Sequence, residues 1–200
     1  MNTAIQQALF DGNTSQRADI AGLSYLANFI TKEEEAALIR TIDAQPWLND
    51  LKRRVQHYGW KYDYKVRGIS EDLRLGELPD WLAKYARRLH IEGYFSQRPD
   101  QVIVNEYLPG QGISPHTDCL PCFGDTIASL SLGSACVMDF TQDKQKVPQS
   151  LEPRSLVILS GDARYYWKHG IAARKTDSMD GIKVSRRRRL SLTFRTILNS

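Results

Sequence analysis

The sequence predicts an α+β domain, a jelly roll or β-sandwich of short strands with helices packed on its outside. Three observations predict it. Two amphipathic helical patterns lie in the first hundred residues, the chain turns after residue 99 to short alternating apolar runs, and Pro-Gly, Gly-Ser and Ser-Gly turns separate those runs. At 200 residues the chain suits one compact domain, with helices and an aromatic segment over 1–98 and strands over 99–200.

Taken in order, the first twenty residues are rich in Gln, Asn, Thr and Ser and read as a loose lead-in or an edge strand. Thr31 followed by Glu34 is a capping box, and Glu33 to Glu35 place acids where the helix dipole favours them. Ala37, Leu38, Ile39 and Ile42 then form an apolar stripe that ends before Pro46. A second helix is expected from Pro79 to about His90, with Leu82, Tyr85, Ala86 and Leu89 on one face. Between the helices, residues 57–68 (HYGWKYDYKVRG) are aromatic and basic and read as a hairpin or long loop, either half buried or a stacking surface for bases. Strands are expected at Gln101–Leu108, Thr126–Leu132, Cys136–Phe140, Ser155–Leu159 and Arg188–Leu198.

Composition narrows the setting. With 42% apolar and 25% charged residues the chain is globular, and no apolar run approaches the roughly 18–20 residues of a membrane span. Residues 1–10 lack a basic stretch ahead of an apolar signal core, so a cytoplasmic protein without membrane contact is expected, and with no obvious apolar dimer face a monomer is the default. Three cysteines, at 119, 122 and 136, make a poor disulfide framework and point to a reducing compartment. A zinc site would need a fourth ligand and a thioredoxin-type pair would want a following helix, so ordinary buried thiols are expected. The net charge of +4 hides two islands: six Lys or Arg against one acid in Leu51–Ser70, and six with no acid in Lys183–Ser200. Such islands suit a polyanion, or simply a solvated face.

The chemistry begins at His116-Thr-Asp118, where residues two apart on an extended strand can aim at one ion. Alone the pair says little. With His169, just past the strand ending at Leu159, it forms two imidazoles and a carboxylate, the facial triad of non-haem Fe(II) oxygenases. His57 and His90 fall in the hairpin and a helix and read as structural. In Arg189–Arg195, alternation puts Leu190, Leu192 and Phe194 on one face and Arg189, Ser191, Thr193 and Arg195 on the other, where two guanidiniums beside a metal would suit a dicarboxylate. Asn105 and Tyr107 share a face with Ile103 and need polar partners that a bound organic acid would provide.

The segments Asn105–Asp118, Ile127–Gly133, Trp167–Ile171 and Arg189–Arg195, in this order and spacing, resemble the AlkB family of 2-oxoglutarate- and Fe(II)-dependent dioxygenases over about residues 100–197. The resemblance implies a cupin-like double-stranded β-helix with Fe(II) on His116, Asp118 and His169. It further implies that Arg189 meets the distal carboxylate of 2-oxoglutarate, while Arg195, Asn105 and Tyr107, with Ser191 nearby, surround its other end. O2 is the second cosubstrate. A methyl carbon on a base nitrogen is hydroxylated, and the product collapses to formaldehyde and the restored base. By the same resemblance the 51–70 island is a nucleotide-recognition lid in which Tyr62 and Tyr64 stack on a flipped base and Lys52, Arg53 and Arg54 reach phosphates of a nucleic-acid partner, with Arg186–Arg188 as a second contact.

Ser191 stands where many members carry Asn, and Leu120 where some bacterial DNA-repair members carry an acid. The stretches Phe123–Asp125, Ser129–Ser134 and Val137–Phe140 look more like members that modify tRNA wobble bases, whose additional domains a chain of this length has no room for. Removal of N-alkyl lesions from DNA or RNA is therefore the first expectation. Hydroxylation of a tRNA base or a protein with the same cofactors is the second, and a non-catalytic nucleic-acid-binding jelly roll the third.

Overall fold

The computed structural model describes residues 20–49 and 51–198. The expected lead-in therefore lies, apart from Ile20, outside the described residues.

Helix α1 (Lys32–Asp43) starts with the expected capping box: Thr31 Oγ1 accepts from the Glu34 amide and Glu34 accepts from the Thr31 amide. Helix α2 (Asp80–Ile91) follows Pro79, whose fixed φ suits a helix start. The strands are β1 (Leu23–Leu26), β2 (Val55–Tyr58), β3 (Gln101–Tyr107), β4 (Ile113–His116), β5 (Phe123–Gly133) and β6 (Cys136–Gln142). They continue as β7 (Gln145–Leu151), β8 (Leu156–Leu159), β9 (Lys168–Ile171), β10 (Thr176–Met179), β11 (Ile182–Ser185) and β12 (Arg189–Ile197), with the short helix α3 (Gly161–Tyr165) between β8 and β9. All five expected strands form. The others among these are mostly four residues long, too short for an alternation to register, or polar like β7, whose Pro148 is tolerated because β7 is an edge strand.

A six-stranded antiparallel sheet has the order β1-β8-β5-β12-β3-β2, and a four-stranded sheet the order β4-β9-β6-β7; β10 and β11 form a separate hairpin. Two antiparallel sheets of this kind, joined by crossing connections, make the expected jelly roll. Helices α1 and α2 cover one face of the large sheet. Leu38, Ile42, Leu82, Tyr85 and Leu89 pack there with Val102, Val104, Leu130, Leu190, Leu192 and Phe194. A second core, around Ile127, Phe140, Val157, Leu159 and Trp167, lies on the side of the small sheet. No helix among the described residues is long and apolar enough to cross a membrane.

Two buried acids clasp the outside of this frame and account for much of the basic islands. Glu106, on the outward face of β3, accepts two bonds from Arg54 at 2.6 and 2.7 Å and one from Arg188 at 2.7 Å, while Arg188 also pairs with Asp43 of α1. The Arg54 hydrogen bonds hold the Glu106 carboxyl below its ordinary range. Asp177 on β10 receives Arg174 and Arg186 and the amide of Val137. Arg186 is itself buried. These placements correct the expectation that Arg54, Arg186 and Arg188 reach phosphates: their guanidiniums are engaged by protein carboxylates, while Arg187 is exposed. Cys119 and Cys122, expected as thiols, are joined in a disulfide, while Cys136 is free and buried.

Because Leu192 is fully buried between two cavity-lining residues of β12, Leu192→Ala should destabilise the fold by about 2–5 kcal/mol. Urea denaturation followed by circular dichroism measures it.

Candidate metal and cosubstrate site

Between the sheets lies a cavity of about 580 Å³ lined from both sides. Its large-sheet wall carries Ile103, Asn105 and Tyr107 of β3 and Arg189, Ser191, Thr193 and Arg195 of β12. The alternation in β12 therefore works as expected, with the apolar half under the helices and the polar half in the cavity. The opposite wall carries His116 and His169.

The two histidines are brought together by register. His116 ends β4, and in the antiparallel pairing of β4 with β9 it stands directly opposite His169, with ring centroids 4.5 Å apart. A side chain at Gly170 would press on the backbone of Ile113 and Pro115 at about 3 Å, so the close approach of the strands requires glycine there. The Ser114 carbonyl accepts from His116 Nδ1 at 2.8 Å, which leaves the lone pair on Nε2. His169 has Nε2 3.6 Å from Asp118 Oδ2, and burial lowers its pKa to about 4, so at neutral pH it is an uncharged imidazole able to act as a ligand.

Asp118 reaches the histidines differently from the expectation. Strand β4 stops at His116, so the carboxylate is placed by a loop instead of by strand parity. Arg164 of α3 holds that loop. Its buried guanidinium donates to the carbonyls of Asp118, Cys119, Phe123 and Gly124 at 3.1–3.3 Å. Arg195 Nη2 donates to Asp118 Oδ1 at 2.7 Å. Burial alone would raise the Asp118 pKa, but the neighbouring positive charges, that of the Arg195 guanidinium first and that of Arg164 with it, overcome it and hold the carboxyl far below its ordinary range. With Oδ1 drawn to Arg195, the three side chains adjoin without closing into a ligand cluster among the described residues, and Oδ2 faces His169.

The residues fit Fe(II) and 2-oxoglutarate. Two imidazoles beside an ionised carboxylate are the donor set of a facial triad. Arg189 could hold the cosubstrate: Nη2 donates to Ser131 Oγ at 2.8 Å, whereas Nε and Nη1 are buried without a partner among the described residues. Buried donors of this kind call for an acceptor, and a carboxylate provides one with two oxygens. Arg195 is mainly a positioning group for Asp118, bonded also to Gln101 Oε1, with its Nε unpartnered. Asn105 Oδ1 accepts from Arg53 Nε at 2.8 Å, and the Arg53 guanidinium sits over the Tyr107 ring. Arg53 is thus a cavity residue, which corrects its expected role at phosphates. Ser191 bonds Ser129 at 2.7 Å across β12 and β5.

Tyr62 and Tyr64 line the same cavity, with ring centroids 5.1 Å apart in an edge arrangement, and Tyr62 leans on Phe123. Burial raises both phenol pKa values, so both rings are neutral at ordinary pH. Lys52 and Arg67 are also in the wall and exposed at its mouth. His57 packs edge-on against Tyr64, and His90 is bonded to the Phe95 carbonyl, as structural histidines.

Sequence reasoning missed Ser129, Ser131, Arg67 and Arg164. The serines had a signal, since they occupy the polar alternate of the apolar face Ala128, Leu130 and Leu132. Arg164 had none, because nothing about one arginine after Asp162-Ala163 says that it will be buried.

The profile described as "2OG-Fe(II) oxygenase superfamily" matches residues 22–195. The chain belongs to that superfamily. That family's description specifies Fe(II) and 2-oxoglutarate, which the donor set and the buried guanidinium of the cavity fit, and the relatives are AlkB-like by name. An Arabidopsis thaliana protein named "Alkylated DNA repair protein ALKBH8 homolog" is 38% identical, covering 100% of this chain and 64% of that protein. A Macaca fascicularis protein, "tRNA (carboxymethyluridine(34)-5-O)-methyltransferase ALKBH8", is 41% identical over 79% of this chain. The chain spans only 25% of that relative's length. Among solved structures, "The structure of OsALKBH1" shares the fold at a TM-score of 0.63 and 19% identity, covering 88% of this chain and 96% of that one.

Arg189→Met should weaken 2-oxoglutarate binding by roughly 10–150-fold, read by calorimetric titration of the Mn(II)-loaded protein. Arg164→Met should lower metal affinity by about 10–100-fold, with Arg164→Lys between it and the parent, read by Mn(II) electron paramagnetic resonance.

Proposed function

We propose that this dioxygenase oxidises alkyl groups carried on the nitrogen atoms of nucleic-acid bases and releases them as aldehyde. The observation that carries the proposal is the pair Tyr62 and Tyr64 in the same cavity as His116, Asp118 and His169. A flat ring entering that cavity has two aromatic surfaces to stack on, each worth about 1–3 kcal/mol. Exposed Lys52, Lys61, Lys65 and Arg67 surround those tyrosines in sequence and offer cations to a phosphate backbone.

When bound, iron and cosubstrate together supply the oxidant for an unreactive C–H bond. The protein's own work is placement. Arg189 and its partner Ser131 hold a carboxylate at one end of the cavity, Arg195 and Arg164 orient Asp118, and the buried walls exclude water. A methyl group hydroxylated on a ring nitrogen becomes a hemiaminal, which breaks its C–N bond to give formaldehyde and the unmodified base.

A second reading is hydroxylation of a tRNA base without loss of carbon. It is supported by the Macaca fascicularis, Xenopus tropicalis and Mus musculus relatives, whose names specify a tRNA uridine modification and which match 78–79% of this chain. The Arabidopsis relative's name supports the repair reading.

The test supplies the full chain with Fe(II), ascorbate, 2-oxoglutarate and either N-methylated DNA or RNA oligonucleotides or bulk tRNA, and measures nucleosides, succinate and formaldehyde. Loss of the methyl group with matching formaldehyde and succinate is expected. A tRNA nucleoside that gains oxygen without formaldehyde would establish the second reading instead, and unchanged nucleosides in every pool would overturn both. Tyr64→Ala should raise the KM for the nucleic acid by roughly 5–150-fold.

A further inference from the structure

The Cys119–Cys122 disulfide touches both the metal-ligand loop and the tyrosine-bearing loop, yet iron chemistry uses neither sulfur. Cys119 follows the ligand Asp118 and lines the cavity in a partly exposed position, whereas Cys122 is buried. Leu120 and Pro121, between them, are exposed. Both sulfurs rest against one acceptor, the Arg67 carbonyl, at 3.5 and 3.9 Å. In the bonded state neither sulfur carries hydrogen, so these are bare contacts. Once the bond is broken the sulfurs move apart to non-bonded contact, and each thiol then has an S–H to turn toward that carbonyl.

Arg67 belongs to the turn closed by the pairing of Asp63 with Gly68, next to Tyr62 and Tyr64. Its φ of 55° makes this a fixed turn, and Asp63 caps the amides of Lys65 and Val66. On the other side, Arg164 holds the carbonyls of Asp118, Cys119, Phe123 and Gly124 independently of the disulfide. The disulfide can therefore open without releasing the Asp118 loop, while the state of its sulfurs alters what holds the tyrosine-bearing turn.

We propose that Cys119 and Cys122 form a redox site of their own, reduced and re-formed by an anionic small thiol of the glutathione class, and that thiol formation tightens the 61–68 turn over the cavity. The inference holds whichever base the enzyme acts on. The incoming thiolate attacks the accessible Cys119 sulfur, the Cys119–Cys122 bond breaks, and Cys122 departs as a thiolate that takes up a proton. A second thiolate attacks the sulfur of the first in the mixed disulfide, Cys119 leaves and is protonated, and the small disulfide departs with the protein two electrons and two protons richer. Oxidised small disulfide reverses both steps. Exposed Lys61, Lys65 and Arg67 favour an anionic reagent at this mouth.

The full chain is equilibrated in glutathione buffers from fully reduced to fully oxidised. Thiols are counted by maleimide labelling after denaturation, and amide hydrogen exchange is followed over residues 61–68. The thiol count should pass from one to three in a single two-electron transition, with exchange in 61–68 slowing about three- to tenfold on reduction. Cys122→Ala should trap glutathione on Cys119, and Cys119→Ala should trap far less on Cys122. Three thiols even in excess oxidised glutathione would overturn the site. Unchanged exchange across the transition would overturn its link to the turn, and equal trapping at both cysteines would overturn the assignment of Cys119 as the attacked sulfur.

Discussion

Strand β12 lies between β5 and β3, paired residue for residue with both over Arg189–Arg195, and that double register decides what the cavity contains. A slip of one residue would send Arg189, Ser191 and Arg195 under the helices and bring Leu190, Leu192 and Phe194 into the cavity. The apolar half resists such a slip because burying three large side chains against α1 and α2 is worth several kcal/mol in all. The Arg189 guanidinium is therefore held in the cavity by packing on the far side of the same strand. Ser131, on the neighbouring strand at the same level as Ser191, completes the arrangement by taking one donor of Arg189.

Charge is distributed by the same logic. Arginines that precede β12 or β2 meet buried acids: Arg54 and Arg188 at Glu106, Arg186 at Asp177. Breaking one partner of such a pair would leave a charge in a dry setting, so these residues are tied to the frame. The cations that remain open to solvent near the cavity mouth, Lys52 and Arg67 among them, are fewer than the charge islands suggested.

Much of this was legible in the sequence where a periodic pattern repeated. The capping box of α1, the stripe of α2, the five expected strands and the two faces of β12 each repeat a signal that local chemistry imposes. The candidate metal residues His116, Asp118 and His169 could be singled out by type, but the way they come near one another could not: it depends on the pairing of β4 with β9 and on a loop pinned by Arg164, both long-range events. The same limit explains Arg53, Arg54, Arg186 and Arg188. A charged residue looks alike in sequence whether its counter-ion is a phosphate or a carboxylate fifty residues away. The disulfide escaped because composition weighs the number of cysteines, and geometry is what joins two of them.

The cross-strand placement of His116 and His169 has a mechanical side. Strand β4 is the outer strand of the small sheet, its pairing with β9 interrupted by an irregularity between Ile113 and His116. An ion held by both imidazoles would act as a rivet through that seam, doing at one point what a longer ladder of hydrogen bonds does elsewhere. Loading the enzyme and fastening the edge of its smaller sheet are then a single event, with the free energy of metal binding shared between chemistry and closure.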